Sequence, residues 1–146
     1  MTSGFKGFIA RLASYTGIWW FGLIAWALIL FLLSARSTLP PGPEIPYQDK
    51  VMHFLYFSGG GFCFSAARLG VLTPLPRRWR WWMLGTAFGI VIGALDEYHQ
   101  TYTPGRSGND VGDWLADLTG AGAGALLAWV LFSWLRRGEA AAQPTV

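Results

Sequence analysis

Three ionisable residues of this chain, His53, Glu97 and Asp117, have types and positions suited to chemistry. Each lies about one helical turn inside the end of a different apolar segment, so three helices would carry them to a similar depth. An imidazole can exchange a proton near neutral pH, and Glu97 could serve as a general base. Glu97 with Asp113 or Asp117 could also hold a divalent cation, and Mg²⁺ suits such carboxylates better than Zn²⁺ does. His53, Glu97 and Asp117 are therefore the candidate catalytic residues.

A second set of polar residues lies near these candidates and suits ligand binding. Asp49 stands four residues before His53, which places both on one face of a helix. Arg106 can bind a phosphate through two parallel hydrogen bonds, and Lys50 can act as a point charge. The candidate substrate-binding residues are Asp49, Lys50, Gln100, Arg106 and Asp113.

The composition indicates that these residues belong to a membrane protein. Of the 146 residues, 53% are hydrophobic and 13% are charged, whereas about 25% are charged in an ordinary soluble domain. The formal charge of +3 does not indicate a nucleic-acid partner, because Lys and Arg cluster at the ends of apolar segments. The single cysteine, Cys63, lies in an apolar run, where packing is its expected role, and it permits no intrachain disulfide.

Four apolar segments are predicted to form membrane-spanning helices. The first, residues 17–33, has no charged residue and would extend about 26 Å, close to the hydrocarbon thickness of about 30 Å. A cleaved signal peptide is the alternative for this segment. Residues 36–48 contain four prolines and are predicted to form a linker. The other three helices are predicted over residues 51–72, 81–101 and 113–135.

The distribution of basic residues predicts the orientation of the bundle. Eight of the eleven Lys and Arg residues fall on the side of the two chain ends, and Arg36, Lys50 and Arg106 fall on the other side. By the positive-inside rule, both termini are cytoplasmic. The expected fold is all-α: residues 17–135 form a four-helix transmembrane bundle, and the protein is a multi-pass protein of the inner (cytoplasmic) membrane. Residues 1–16 are expected to form a cytoplasmic or interfacial amphipathic segment. Residues 136–146 are expected to form a disordered cytoplasmic tail.

Small residues recur at every fourth position on two of the helices, and each series adjoins carboxylates. Such residues let helices approach closely in a membrane. We expect the two series to pack against each other and bring Glu97 and Asp117 together; packing against another protomer is the alternative. The glycine triplet 59–61 indicates close packing or a local kink. The two series are Gly85, Gly89 and Gly93 before Glu97, and Gly120, Gly124 and Ala128 after Asp110, Asp113 and Asp117.

Several of the polar residues also have simpler interpretations. Asp49 and Asp113 fit the N-caps of the second and fourth helices. For Asp96, His99 and Asp110, the sequence favours a solvated position at the membrane interface. No set of His, Cys, Asp and Glu has the spacing of a metal motif, so no metal ligand is assigned. No Ser or Cys nucleophile stands beside a base either.

In order and spacing, residues 49–124 resemble the VanZ-like family of small bacterial membrane proteins. The shared pattern is Asp49-Lys50-x-x-His53, Glu97-x-x-Gln100, Pro104-Gly105-Arg106 and an Asp-rich helix start that ends in Gly120. Two features depart from it: the family often has Asn where this chain has Asp117, and the loop from Arg106 to Asp113 is one residue longer, so that either Asp110 or Asp113 corresponds to the family aspartate. The resemblance implies a multi-span membrane protein whose namesake is linked to teicoplanin resistance, and it supplies no reaction.

Three functions are compatible with these residues. The first is a site at the outer-leaflet face that binds or modifies the headgroup of a cell-envelope lipid, glycolipid or lipid-linked precursor, with an effect on glycopeptide resistance. The second is a metal-assisted membrane hydrolase or transferase. The third is a structural or scaffold protein whose polar cluster only stabilises the bundle. An ion carrier is disfavoured, because the charged residues lie at one face and no relay crosses the bilayer.

Overall fold

The computed structural model describes residues 3–38, 46–72 and 74–140. Within these ranges all regular secondary structure is helical, which confirms the all-α prediction. An additional short helix, α1, occupies the predicted amphipathic segment. The elements are α1 (Ser3–Ser14), α2 (Thr16–Ser34), α3 (Gln48–Leu69), α4 (Arg78–Gln100) and α5 (Val111–Ala140).

Two of the described helices are long and apolar enough to cross a membrane. They are α2, with a mean hydropathy of 2.1, and residues 111–137 of α5, with a mean hydropathy of 1.6. Only 6% of the α2 segment is buried inside the protein, against 44% of the α5 segment. An apolar helix with so little protein around it needs another apolar environment, which lipid would supply. These properties agree with a membrane protein.

Helix α5 is parallel to α3 and antiparallel to α4, so both helices bring polar ends to its N-terminus. At the opposite end of the bundle lies the main apolar core, which includes Leu69 of α3, Trp81 of α4, and Phe132 and Leu135 of α5. Burial of large apolar side chains in this core holds together the helices that carry the polar residues at their other ends.

The glycines of α4 allow it to pack closely against α5. A Cβ atom added at Gly89 would lie 2.7 Å from Cα of Leu118 and 2.8 Å from Cβ of Ala121. At Gly85 an added Cβ would collide with Ala125. The predicted small-residue interface on α4 is therefore present, and it packs within the same chain.

The small residues of α5 pack against a different helix from the one predicted. Cβ atoms added at Gly120 and Gly124 would collide with the α3 backbone at Phe54 and Ser58. The prediction that the two glycine series pack against each other is wrong, because small residues occupy more than one face of α5. One face receives α4 and another receives α3.

The glycine triplet of α3 produces close packing without interrupting the helix. A Cβ atom at Gly60 would collide with the Trp26 ring of α2, and one at Gly61 would collide with the backbone of Ala121 on α5. Gly59 faces open space. The predicted close packing is confirmed for Gly60 and Gly61.

The helix ends differ from the predicted ones. Tyr47, with a φ of 57°, precedes α3, so Asp49 lies in the first turn and is not the N-cap. Asp110 precedes α5, and its Oδ1 atom accepts hydrogen bonds from the N–H groups of Gly112 at 2.7 Å and Asp113 at 3.3 Å. Asp110, rather than Asp113, therefore caps α5. This helix ends at Ala140 instead of near residue 135; the rest of the predicted tail and the linker prolines at 40, 41 and 43 lie outside the described residues.

Candidate functional site

The candidate residues gather where the C-termini of α2 and α4 meet the N-termini of α3 and α5. His53 comes from α3, Glu97 from α4, and Asp113 and Asp117 from α5. One ligand atom each of His53, Glu97 and Asp113 lies within 4.8 Å of the other two. The similar depth predicted for these side chains therefore corresponds to proximity in space.

His53 and Asp117 form an imidazole–carboxylate pair between α3 and α5. His53 Nδ1 lies 2.9 Å from Asp117 Oδ1, and the Asp117 side chain is 0% exposed. Gly93 of α4 makes room for this carboxylate, since an added Cβ there would lie 2.8 Å from Asp117 Oδ2. A carboxylate that accepts the Nδ1 proton leaves Nε2 as the basic nitrogen of the ring.

Lys50 is surrounded by carboxylates from three positions. Its Nζ atom lies 2.7 Å from Asp49, 2.9 Å from Asp110 and 3.0 Å from Asp113. The hydrogen bond from Lys50 lowers the pKa of Asp110, and the backbone N–H of Gly112 lowers it further. The ammonium group already has three anionic partners, so it is a weaker candidate for phosphate binding than its charge suggested.

Glu97 ties the end of α4 to the loop that precedes α5. Its Oε2 atom accepts a hydrogen bond of 2.6 Å from the backbone N–H of Asp110. The residue is 5% exposed, and within the described ranges its Oε1 atom is buried and has no hydrogen-bond partner. One oxygen thus positions Glu97, and the other is available.

A second polar network joins α2, α4 and the following loop. Ser34 donates a hydrogen bond to Asp96 Oδ1, and Gln100 Nε2 donates one of 2.8 Å to Asp96 Oδ2. Arg106 donates from Nε at 3.0 Å and Nη2 at 2.7 Å to Gln100 Oε1. Gln100 thereby fixes the guanidinium group of Arg106 relative to α4.

The network corrects two assignments made from sequence. Asp96 was predicted to be solvated, but it is 5% exposed and bonded through both oxygens. Its spacing of four residues from Gln100 is a signal that could have indicated the pair. Asp110 is half-exposed, yet it contacts Lys50, caps α5 and donates to Glu97. His99, for which a solvated position was also predicted, is half-buried and takes no part in this network. Its ring stacks on Phe31, with ring centroids 4.6 Å apart.

A cavity of about 900 Å³ lies against these networks. Apolar and polar side chains both line it, and α3 contributes residues of each kind. A smaller cavity of about 330 Å³ lies beside Glu97 and Asp110. The apolar lining of the larger cavity includes Leu30, Leu33, Met52, Tyr56 and Phe57, and its polar lining includes Asp49, His53, Asp96, Gln100, Arg106 and Asp113.

Comparison with known proteins identifies one family relationship. The family model described as VanZ/LLP1 matches residues 16–133, a range that includes every candidate site residue. No curated protein and no solved structure matches the chain.

Proposed function

Because the chain belongs to the VanZ/LLP1 family, we propose that it is a membrane protein whose polar site binds the headgroup of a cell-envelope lipid or glycolipid. The observation that carries the proposal is the cavity of about 900 Å³ that is lined by both apolar and polar side chains. Such a surface suits an amphiphile, since apolar contacts bind the hydrocarbon part of the lipid and a few polar groups orient its headgroup. An effect on glycopeptide resistance is part of this proposal.

The proposed orientation places the cavity at the outer leaflet. In it α2, α3, α4 and α5 cross the inner membrane, both termini are cytoplasmic, and α1 lies at the interface. The supporting observation is the clustering of basic residues at the ends of the helices that lie opposite the cavity, as the positive-inside rule requires. The exposed apolar side chains of α2 support contact with lipid, among them Phe21 and Ile24.

The polar lining suits a headgroup that carries both a phosphate and hydroxyl groups. Arg106 is the cation for the phosphate, because its guanidinium is positioned by an uncharged partner, Gln100. Asp49 and Asp113 can accept hydrogen bonds from sugar or glycerol hydroxyls. The surplus of carboxylates over cations around Lys50 disfavours a ligand with several anionic groups.

Native mass spectrometry of protein gently released from its own membrane tests the proposal. We expect the wild type to carry a phospholipid or a lipid-linked sugar, and Arg106→Ala to lose it. Arg36→Ala is the matched control: Arg36 is exposed, belongs to the same end of the bundle and is absent from the cavity lining. A wild type without lipid, or a folded Arg106→Ala protein that retains it, would contradict the proposal.

A scaffold function is the second candidate, and the hydrogen bonds between elements favour it. Asp110 bonds to Glu97, and Ser34 to Asp96, so polar groups themselves connect parts of the fold. Under this alternative, Glu97→Gln lowers the abundance of the protein and no lipid co-purifies. Under the proposed function, the same variant accumulates and folds normally but loses function. Expression level and circular dichroism distinguish the two.

A further inference from the structure

Three groups of metal-ligating side chains occur at the polar end of the described helices. Each contains at least three residues whose ligand atoms lie within 4.8 Å of one another. The groups are His53 with Asp96 and Asp117, His53 with Glu97 and Asp113, and Asp49 with Asp110 and Asp113.

Two of these groups already have other partners. The carboxylates of Asp49, Asp110 and Asp113 converge on the Lys50 ammonium, which takes the place of a cation among them. In the group with Asp117, both oxygens of Asp96 accept hydrogen bonds, from Ser34 and Gln100. Neither group offers a complete set of available ligand atoms.

In the remaining group, every side chain has one atom held by the protein and one atom left over. His53 Nδ1 contacts Asp117 at 2.9 Å, which leaves Nε2. Asp113 Oδ1 contacts Lys50 at 3.0 Å, which leaves Oδ2. Glu97 Oε2 accepts the N–H of Asp110 at 2.6 Å, which leaves Oε1.

The three side chains each bring a ligand atom to within 4.8 Å of the others, and the distance between two of the leftover atoms is close to that of a metal site. His53 Nε2 lies 3.8 Å from Asp113 Oδ2. Two ligands bonded to one ion at about 2.1 Å lie roughly 3 to 3.5 Å apart, so a movement of a few tenths of an ångström completes the pair. Glu97 supplies the independent observation: it is 5% exposed and its Oε1 atom, within the described ranges, is buried without a partner. A buried carboxylate oxygen of this kind costs free energy until a cation or donor satisfies it.

We propose that His53 Nε2, Glu97 Oε1 and Asp113 Oδ2 bind a divalent transition-metal ion beside the cavity, and that Asp117 orients His53. The arrangement follows the carboxylate–histidine–metal relation, in which a second carboxylate fixes the tautomer and direction of the ligating ring. His53 and Asp113 line the large cavity, so an ion can enter from it. The inference goes beyond the proposed function, because cation binding is measured without any lipid.

The donor set selects the class of ion. Ca²⁺ takes six to eight oxygen ligands, which one imidazole and two carboxylates do not supply. Imidazole suits Zn²⁺, and carboxylates suit Mn²⁺. We therefore expect Mn²⁺ and Zn²⁺ to compete for the site. Mg²⁺ should bind more weakly than either, because one of the three ligands is an imidazole.

The test uses tag-free, full-length protein in detergent, freed of metal with a chelator and titrated with MnCl₂. Electron paramagnetic resonance should show one Mn²⁺ per chain, displaced by Zn²⁺, with spin-echo modulation from an imidazole nitrogen. His53→Gln and Glu97→Gln should each weaken Mn²⁺ binding at least tenfold, and Asp117→Asn should weaken it about 10- to 100-fold. Asp49→Asn, in the group occupied by Lys50, should leave binding unchanged.

The two histidines of the chain provide a matched pair. His99→Gln should retain the nitrogen modulation and His53→Gln should lose it, with circular dichroism as the check on folding. If His53→Gln does not fold, the nitrogen modulation of His99→Gln still tests the assignment, because His53 is the only imidazole in that variant. Absence of the modulation in folded His99→Gln, no Mn²⁺ or Zn²⁺ binding by the wild type, or equal losses in Asp49→Asn and Glu97→Gln would overturn the proposal. Lipid adducts are scored separately, so either proposal can fail alone.

Discussion

His53 Nδ1 lies 2.9 Å from Oδ1 of Asp117, and this contact joins α3 to α5 at a point where Asp117 is 0% exposed. The imidazole satisfies Oδ1, whereas Oδ2 of Asp117 is buried and has no hydrogen-bond partner among the described residues. The same contact directs the second ring nitrogen toward Asp113. One pair of residues therefore both connects two helices and sets the chemistry of the site.

We expect Asp117→Ala to destabilise the protein by about 3 kcal/mol, because removing one member of a buried pair leaves the other without its partner. Asp117→Asn should cost less, since an amide oxygen can still accept the Nδ1 proton. Thermal unfolding in detergent measures both. Thr119→Ala, at an exposed position two residues along the same helix, is the control, and an equal loss in that variant would argue against a role for the pair.

Gly61→Ala should destabilise the bundle by about 1 to 3 kcal/mol, because its new methyl group collides with the α5 backbone at Ala121. Gly59→Ala is the matched control, two residues away on the same helix. No atom lies within 4 Å of an added Cβ there, so alanine should be neutral or should stabilise by about 0.5 to 1 kcal/mol. Chemical denaturation of the two variants compares them directly; equal unfolding midpoints would contradict the close contact between α3 and α5.

Lys50→Gln should convert a cluster satisfied by an ammonium into one that needs a metal ion. Without Lys50, the carboxylates of Asp49, Asp110 and Asp113 repel one another, and their ligand atoms lie within 4.8 Å. We expect a lower melting temperature that millimolar Ca²⁺ restores, since Ca²⁺ prefers oxygen ligands. The wild type should show no such restoration. A variant that Ca²⁺ leaves unchanged would show that the carboxylates move apart.

Acid should destabilise the protein partly through Asp110. Lys50 lowers the folded-state pKa of Asp110 below its ordinary value of 3.8, so this carboxylate contributes stability above that value. The contribution is lost as the pH falls through the lowered folded-state pKa. Asp110→Asn keeps an N-cap residue but removes the titrating group, and its melting temperature should fall less than that of the wild type between pH 5 and pH 3. Parallel curves for the two proteins would contradict this role for Asp110.

Much of the site was predictable from residue type and depth along each helix. His53, Glu97 and Asp117 each stand about one turn inside the end of an apolar segment. In the structure His53 contacts Asp117, and ligand atoms of His53 and Glu97 lie within 4.8 Å of each other. The sequence did not identify Asp96 and Asp110 as site residues, because position along the chain favoured a solvated place for both. Each lies near a helix end, where one-dimensional position does not distinguish solvent from a partner on another helix.

The sequence by itself determined the all-α class, the approximate helix ranges and the level at which the ionisable residues meet, because helix formation and hydrophobic periodicity are local properties. Only the tertiary structure decided which face of α5 receives each neighbour. Gly120 and Gly124 admit α3, while Ala121 and Ala125 admit α4. Small residues on two faces permit more than one rotation of the helix, and the choice depends on packing among several helices at once. That rotation also places Asp113 between Lys50 and His53, a relation that no spacing along the chain expresses.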